Sequence, residues 1–197
     1  MEYMIVIAVI IICFIFFGLI LWKADIHIES EQKKAGRRGE RIATQVIQEV
    51  LNDRDVLLTN IHLSYEGSET ELDNVVINNR GVFIIEVKNY NGVLAGTIDD
   101  YKWLKSKHTD SGNFYQTEVK NPIRQVKRQI YILSSVLREN GIQVWVEGYA
   151  ILLERNSPVE DEHILWSQRE IHEAIHVKTN NKLSNDTKRK IVDLLAG

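Results

Sequence analysis

The residues best suited to chemistry are two carboxylates and a lysine in neighbouring apolar stretches: Asp73 in the first, and Glu86 and Lys88 in the second. Each stretch is predicted to be a β-strand, and the Asn-Asn-Arg-Gly sequence at 78–81 predicts a hairpin turn between them. Side chains alternate along a strand, so Glu86 and Lys88 share a face. A symmetric hairpin then brings Asp73 opposite Glu86 on that face.

Two opposed carboxylates need a physical reason, because like charges directly across a sheet destabilise it. A cation between Asp73 and Glu86 supplies one, and oxygen ligands favour Mg²⁺ or Mn²⁺ over zinc. Lys88 would lie beside that cation. Two alternatives stay open: Lys88 forms an ion pair with Glu71, which the same register places opposite it, and the two acids share a solvated face by chance.

Two predicted helices add polar residues to this region. The first, residues 37–51, carries Glu40 on its apolar edge, although an acid at a helix start is also favourable without any function. A long helix opens at Asn121-Pro122 and carries Gln125 and Gln129 one turn apart beside its apolar stripe. Taken alone, these two glutamines are also typical of a solvated helix face.

The other elements are predicted from hydrophobic periodicity and turn signals. Helices are expected after Ser167, which forms a capping box with Glu170, and over 184–195. Residues 104–118 are too irregular for an assignment. Strands are expected over 56–63, 71–77, 82–88, 144–153 and 163–166, with a short one near 101–103. This order predicts an α/β sandwich on a central mixed sheet.

A second motif competes for a metal. His172-Glu173-Ala174-Ile175-His176 is a literal H-E-x-x-H on a predicted helix, which is the spacing of zinc metalloproteases. Such a site needs a third ligand, and only Asp186 and Asp193 supply carboxylates in the 21 residues that follow. We interpret this helix as a packing element with surface histidines, and a zinc metalloprotease through His172 and His176 remains the alternative.

The apolar residues are unevenly distributed along the chain. Of 197 residues, 44% are hydrophobic and 26% charged, with a formal net charge of −3, yet residues 1–22 contain one charged side chain, Glu2. Residues 4–22 would form ~28 Å of helix, enough for a hydrocarbon core of ~30 Å. A cleaved signal peptide is the alternative, but the basic start and the cleavage site are missing. Lysines and arginines follow the segment and none precede it, which predicts an outside N-terminus and a cytoplasmic domain.

The sequence therefore predicts a transmembrane anchor (1–22), a juxtamembrane linker (23–36) and one domain (37–197). The single cysteine, Cys13, excludes an intrachain disulfide framework and a cysteine-rich zinc site. The near-neutral charge balance excludes a global electrostatic attraction to nucleic acid, so any contact with it requires a local basic patch.

The pattern of motifs resembles the nuclease-related domain (NERD) family of the PD-(D/E)xK nuclease-like superfamily over about residues 36–137. The resemblance is carried by Gly39-Glu40, Glu71-Leu72-Asp73, the run from Gly81 to Gly92, Trp103, and Asn121-Pro122 followed by Gln125. It implies a restriction-endonuclease-like three-layer sandwich around a central mixed sheet. It also implies Mg²⁺- or Mn²⁺-dependent hydrolysis of phosphodiester bonds in nucleic acid, DNA ahead of RNA.

The resemblance further assigns roles to individual residues. Lys88 would orient or activate the attacking water, and Gln125 would steady the site. The metal would be bound by Asp73, Glu86, the carbonyl of Val87 and, directly or through water, Glu40. Basic residues near two helix starts would contact phosphates, unless they serve only solubility: Arg37, Arg38, Lys120, Arg124, Lys127 and Arg128. The second hypothesis is a catalytically inactive module that binds nucleic acid or another partner at the membrane.

Overall fold

The computed structural model describes residue 34 and residues 36–108, 112–178 and 181–197. The chain divides into two compact units, Met1–Arg38 and Gly39–Gly197. No helix in the described ranges is long and apolar enough to cross a lipid bilayer. The predicted membrane segment, residues 4–22, lies outside those ranges, so it stays a prediction.

Four helices and eight strands make up the described ranges. In chain order they are α1 (36–50), β1 (Val56–Tyr65), β2 (Ser68–Ile77), β3 (Val82–Lys88), β4 (Val93–Ala95), β5 (Lys102–His108), β6 (Phe114–Lys120), α2 (Pro122–Glu139), β7 (Val146–Leu152), β8 (Ile164–Leu165), α3 (Gln168–His176) and α4 (Asn185–Ala196).

The centre of the Gly39–Gly197 unit is a five-stranded sheet with the order β1-β2-β3-β7-β8. Strands β1, β2 and β3 are antiparallel neighbours, whereas β7 runs parallel to β3 and β8 runs parallel to β7. The prediction of a mixed α/β fold on a central mixed sheet is therefore confirmed.

Helices cover both faces of this sheet and give the unit three layers. Because side chains alternate along β2 and β3, neighbouring residues enter opposite layers. On one face the core contains α1 and α3, with Ile47, Val76, Phe83, Ile85, Ile171 and Ile175. On the other face it contains α2 and α4, with Val75, Ile84, Leu133, Leu137, Ile191 and Leu195.

Helix α2 approaches the sheet closely at Gly148 of β7. A Cβ atom on Gly148 would lie 2.5 Å from Cγ1 of Val126 and 3.1 Å from Cγ1 of Ile130, so a larger residue would push the helix away. Asn121 fixes the start of the helix, since its Oδ1 accepts from the N–H groups of Ile123 and Arg124 at 3.0 and 3.4 Å. This packing sets the position of the polar residues on the first two turns of α2.

A second antiparallel sheet, β4-β5-β6, covers most of the segment that the sequence left unassigned. Trp103 of β5 is fully buried against Leu94 and Ile123, but β6 is exposed along nearly its whole length. An exposed strand has no alternation of apolar residues, so periodicity does not reveal it. The prediction of irregular structure over 104–118 is wrong for the described part of that segment.

Candidate active site

The β2–β3 hairpin brings Asp73 and Glu86 together at the point where its ladder ends. The predicted register holds as far as the pair of Asn74 and Ile85, the last in the ladder. Beyond it, the Val87 backbone N–H donates to Oδ2 of Asp73 at 2.8 Å. The carboxylate of Asp73 thus accepts a hydrogen bond from the main chain at Val87, the residue that follows Glu86.

Glu86 is the most enclosed charged residue of the site, with 1% of its surface exposed. Its Oε1 accepts from Nε2 of Gln125 at 2.6 Å and from Nζ of Lys88, and its Oε2 accepts from Nε2 of Gln129 at 2.6 Å. A buried carboxylate is tolerated when it is paired and hydrogen-bonded. These three donors hold the Glu86 carboxylate in one orientation.

Lys88 pairs with Glu86 along its own strand, not with Glu71 across the hairpin. The carboxylate of Glu71 instead lies 3.8 Å from Nε2 of His62. Burial alone would lower the pKa of Lys88, but the negative charge of Glu86, with a smaller contribution from Asp73, raises it overall. Lys88 is therefore a cation at neutral pH.

Burial, followed by the charge of Glu86, raises the pKa of Asp73 to about 7. The N–H of Val87 and the ammonium of Lys88 act in the opposite direction, and Glu40 raises the pKa further. Glu40 is half-buried on α1. Its effect on the pKa of Asp73 comes from its negative charge. We call Glu40, Asp73 and Glu86 the acidic cluster; its negative charge is only partly offset by Lys88.

An open cleft of about 670 Å³ is lined by Asp73 and Glu86 of the acidic cluster and by Lys88. The opposite wall comes from the β1–β2 hairpin and the third wall from the start of α2. These walls include His62, Glu69, Glu71, Lys120, Gln125 and Arg128. Acidic and basic side chains thus share one solvent-accessible space.

The six predicted phosphate contacts are divided between the two units, and the four in the Gly39–Gly197 unit do not all line one space. Lys120 and Arg128 line the cleft, Arg124 lines a smaller hollow, and the exposed Lys127 lines neither. The N–H groups that a helix start could offer to phosphate are already bonded to Asn121 on α2. Two of the six belong to the Met1–Arg38 unit, are exposed, and stay predictions: Arg37 and Arg38.

Gln129 belongs to the site, although the sequence pattern assigned it no role there. It is fully buried, and its Nε2 also donates to the Glu71 carbonyl at 3.0 Å. Its spacing of one helical turn from Gln125 is visible in the sequence and places both side chains on one face of α2, but a role was predicted only for Gln125. Helix α2 therefore contributes two glutamines to Glu86, where one was expected.

Tyr90 is a second residue beside Glu86 and Lys88 to which the sequence analysis gave no role. Burial raises its pKa, Glu86 raises it further, and the charge of Lys88 opposes both. Its hydroxyl donates to the Lys120 carbonyl at 3.0 Å, which ties the end of β3 to the end of β6. The alternation that links Glu86 and Lys88 extends to Tyr90 and could have revealed it.

The H-E-x-x-H segment on α3 forms no comparable cluster. His172 and Glu173 are exposed, and Glu173 lies 3.9 Å from Nε of Arg169. His176 instead places its Nε2 2.8 Å from Oδ2 of Asp55, where the side chains of both residues are nearly buried. Across the described ranges, no group of three or more His, Cys, Asp or Glu side chains is arranged to hold a metal, and this applies to Glu40, Asp73 and Glu86 as well as to α3.

Comparison with known proteins identifies the family of the chain. Residues 35–153 match the nuclease-related domain, and the chain belongs to this NERD family. It is also similar to an uncharacterized protein of Bacillus anthracis, with 24% identity over 179 residues that cover 86% of this chain and 82% of the relative. No solved structure matches the chain.

Proposed function

We propose that this protein is a divalent-metal-dependent nuclease in which Asp73 and Glu86 hold Mg²⁺ or Mn²⁺ and Lys88 assists phosphodiester hydrolysis. The observation that carries the proposal is the buried Glu86 carboxylate, held by Lys88 and Gln125 beside an Asp73 whose pKa is raised to about 7. Membership of the nuclease-related family and the three-layer sandwich support it.

The acidic cluster fits a hard divalent ion in its chemistry. All of its ligands are oxygens, and a divalent charge would favour the ionised form of Asp73, whose pKa is raised by burial and then by the charge of Glu86. Two side-chain carboxylates are fewer than a full ligand set, so the carbonyl of Val87 and water would have to complete it, with Glu40 acting through water. Mg²⁺ commonly keeps several waters in protein sites.

Two buried amide oxygens beside Glu86 also favour a hydrated site. Oε1 of Gln125 and Oε1 of Gln129 have no hydrogen-bond partner within the described ranges. Leaving a buried acceptor unsatisfied costs about 1–3 kcal/mol. Ordered water at the cluster would supply the missing donors to both glutamines.

In this proposal the chain's own residues position the reactants. A bound divalent ion would offset the charge that develops on the phosphate oxygens. Lys88 stays protonated, because its pKa is raised, and therefore orients the water or a phosphate oxygen as a donor without accepting a proton. Glu86 keeps the ammonium of Lys88 in place, and Lys120 and Arg128 offer charge to the substrate backbone in the cleft.

The test is a cleavage assay with the full-length protein on single- and double-stranded DNA and RNA, in Mg²⁺, Mn²⁺ or EDTA. We expect cleavage only with a divalent ion, and a loss of about 10²-fold or more in Asp73→Asn and in Lys88→Met. Tyr131→Ala, an exposed substitution that lines no part of the cleft, should cleave as the unchanged protein does. Cleavage in EDTA, or cleavage that survives Asp73→Asn, would reject this site.

A second candidate function is a catalytically inactive module that binds nucleic acid or another partner. The observation that favours it is the full use of Oε1 of Glu86, which already accepts from two donors. A metal would have to share this carboxylate with Lys88. Metal-independent binding of nucleic acid without any cleavage would support the module over the enzyme.

We also propose that residues 4–22 anchor the protein in a membrane, with the domain on the cytoplasmic side. The length of the uncharged run and the basic residues that follow it support this proposal. The full-length protein should stay with the membrane fraction after alkaline carbonate extraction, whereas a chain that begins at residue 23 should be released. Protease added outside intact cells should leave the domain uncut.

A further inference from the structure

A smaller hollow of about 300 Å³ adjoins the acidic cleft. It is lined by Tyr101, Lys120, Asn121, Arg124, Gln125 and Arg128, and we call it the tyrosine hollow. Lys120, Gln125 and Arg128 also line the cleft, so the two spaces are adjacent. The lining of the tyrosine hollow contains three cations and no carboxylate, in contrast to the acidic cleft.

The ring of Tyr101 is open to a ligand. The residue is 76% exposed, although aromatic side chains stabilise a fold mainly when they are buried. The guanidinium of Arg124 lies 6.0 Å from the ring centroid, at the limit of a cation–π contact, so it covers at most one face. The other face is available for stacking.

Tyr101 is held on a fixed loop. The Asn121 N–H donates to the Tyr101 carbonyl at 3.4 Å, and the Asn121 side-chain amide donates to the carbonyls of residues 97, 98 and 100 at 3.3, 3.0 and 2.8 Å. Arg124 adds a bond from Nη1 to the Asp99 carbonyl at 2.7 Å. A fixed aromatic ring loses little conformational entropy when a ligand stacks on it.

We propose that Tyr101 stacks against an unpaired base of a single-stranded nucleic acid whose phosphates follow Lys120, Arg124 and Arg128 towards the acidic cleft. This inference rests on the proposed function, since it takes nucleic acid as the ligand. An aromatic ring next to cations, with no acid between them, suits a base and its phosphates together. Inside a duplex the faces of each base are covered by the neighbouring base pairs, so the hollow selects single strands or frayed ends over intact duplex.

The phosphate contacts in this proposal come from side chains. Few N–H groups at the start of α2 are free to bind an anion. The side chain of Asn121 already accepts from the N–H groups of Ile123 and Arg124. Arg124 uses one of its five N–H donors on Asp99 and keeps others for phosphate. In this proposal Tyr101 therefore contacts the base and Arg124 contacts the phosphate backbone.

The test measures binding of the full-length protein to a fluorescent 12-nucleotide single strand and to a blunt duplex of the same length, in EDTA and in Ca²⁺. Tyr101→Ala should weaken single-strand binding by about 5- to 100-fold, and Tyr101→Phe should preserve it. Duplex binding should not change in either variant. Tyr131→Ala is the matched control, because Tyr131 is 57% exposed and lines neither space.

A second measurement isolates the stacking contact. An abasic position moved along the single strand should weaken binding to the unchanged protein at one site, and should add no further loss in Tyr101→Ala. Equal binding of single strands by the unchanged protein and Tyr101→Ala, an equal loss on duplex, or no single-strand binding in either buffer would overturn the proposal. Tyr101-dependent binding without cleavage in Mg²⁺ would reject the nuclease and keep this inference. Cleavage with Tyr101-independent binding would do the reverse.

Discussion

The acidic cluster and the H-E-x-x-H segment of α3 both have a spacing typical of metal sites, but they are assembled differently. Asp73 and Glu86 come from two strands, and Glu86 also accepts from side chains of α2, such as Gln125, which lies 39 residues further along the chain. His172 and His176 both belong to one short helix. Their rings contact each other with centroids 4.6 Å apart, and His176 is also bonded to Asp55.

The difference lies in the supporting residues. Glu86 receives three donors and is buried, so its orientation is fixed before any ligand arrives. His172 is exposed and no described acid completes a metal site beside it. Functional sites depend on such support at least as much as on the ligands themselves. The same comparison can be tested by parallel substitutions in the two regions.

The largest expected effect comes from a matched pair of Glu→Gln variants. Glu86→Gln removes the charge that holds Lys88, and should lower cleavage by about 10²-fold or more. Glu173→Gln makes the same change at the acid of the H-E-x-x-H segment, where the side chain is exposed, and should leave cleavage unchanged. Steady-state cleavage rates in Mg²⁺ measure both. Comparable losses in the two variants would remove the distinction between the regions.

The next effect concerns stability without metal. The pKa of Asp73 is raised to about 7 in the fold, so the folded state favours the protonated form, and the contribution of Asp73 to stability falls as the pH rises from about 4 through 7. Asp73→Asn cannot ionise and keeps an acceptor for the Val87 N–H. In EDTA at pH 8 this variant should therefore be more stable by roughly 1–4 kcal/mol.

Urea unfolding between pH 4 and 8 measures this difference. The gain in Asp73→Asn should vanish near pH 4, where the carboxyl is protonated in the fold and half-protonated in the unfolded chain. Adding Mg²⁺ should stabilise the unchanged protein and not the variant, because an ion that binds only the folded state raises its stability. A variant that is less stable than the unchanged protein at pH 8 in EDTA would contradict the raised pKa of Asp73, and with it the combined effect of burial and of Glu86.

Much of the central sheet could be predicted from sequence, because its strands are buried. The bounds of β3 match the predicted 82–88, and the end of β2 at Ile77 and the start of β1 at Val56 also match. Strands β5 and β6 could not be delimited, since β6 is exposed and carries no apolar alternation. Periodicity detects burial, and it fails where a strand is stabilised by its neighbours alone.

The residues of the candidate site also divide into those that could be predicted from the sequence and those that could not. The shared face of Glu86 and Lys88 followed from alternation along one strand, and the register with Asp73 followed from the turn. The partner of Lys88 and the role of Gln129 could not be predicted in this way, because they depend on how closely α2 packs on the sheet. Gln129 reaches Glu86 across 43 residues of sequence, a contact that no local pattern encodes.

A smaller effect is expected at His176, which serves the fold. His176→Ala leaves the Asp55 carboxylate, whose side chain is 4% exposed, with its Asn52 N–H bond and no ring partner. We expect a loss of about 1–3 kcal/mol in the free energy of unfolding and an unchanged cleavage rate per folded molecule. Asp55→Asn should show a similar loss. A cleavage rate that falls with an intact fold would instead give this histidine a catalytic role.

The smallest effect is expected at His172, whose side chain is exposed on the same helix. His172→Ala should change the free energy of unfolding by less than about 0.5 kcal/mol, as surface substitutions usually do. The zinc content of the purified protein, measured by inductively coupled plasma mass spectrometry, should be far below one ion per chain with or without His172. One zinc per chain that is lost in His172→Ala would show that α3 is a metal site. The H-E-x-x-H segment would then no longer differ from the acidic cluster in lacking a metal. Zinc that persists in His172→Ala and is lost in Asp73→Asn would instead assign that metal to the acidic cluster.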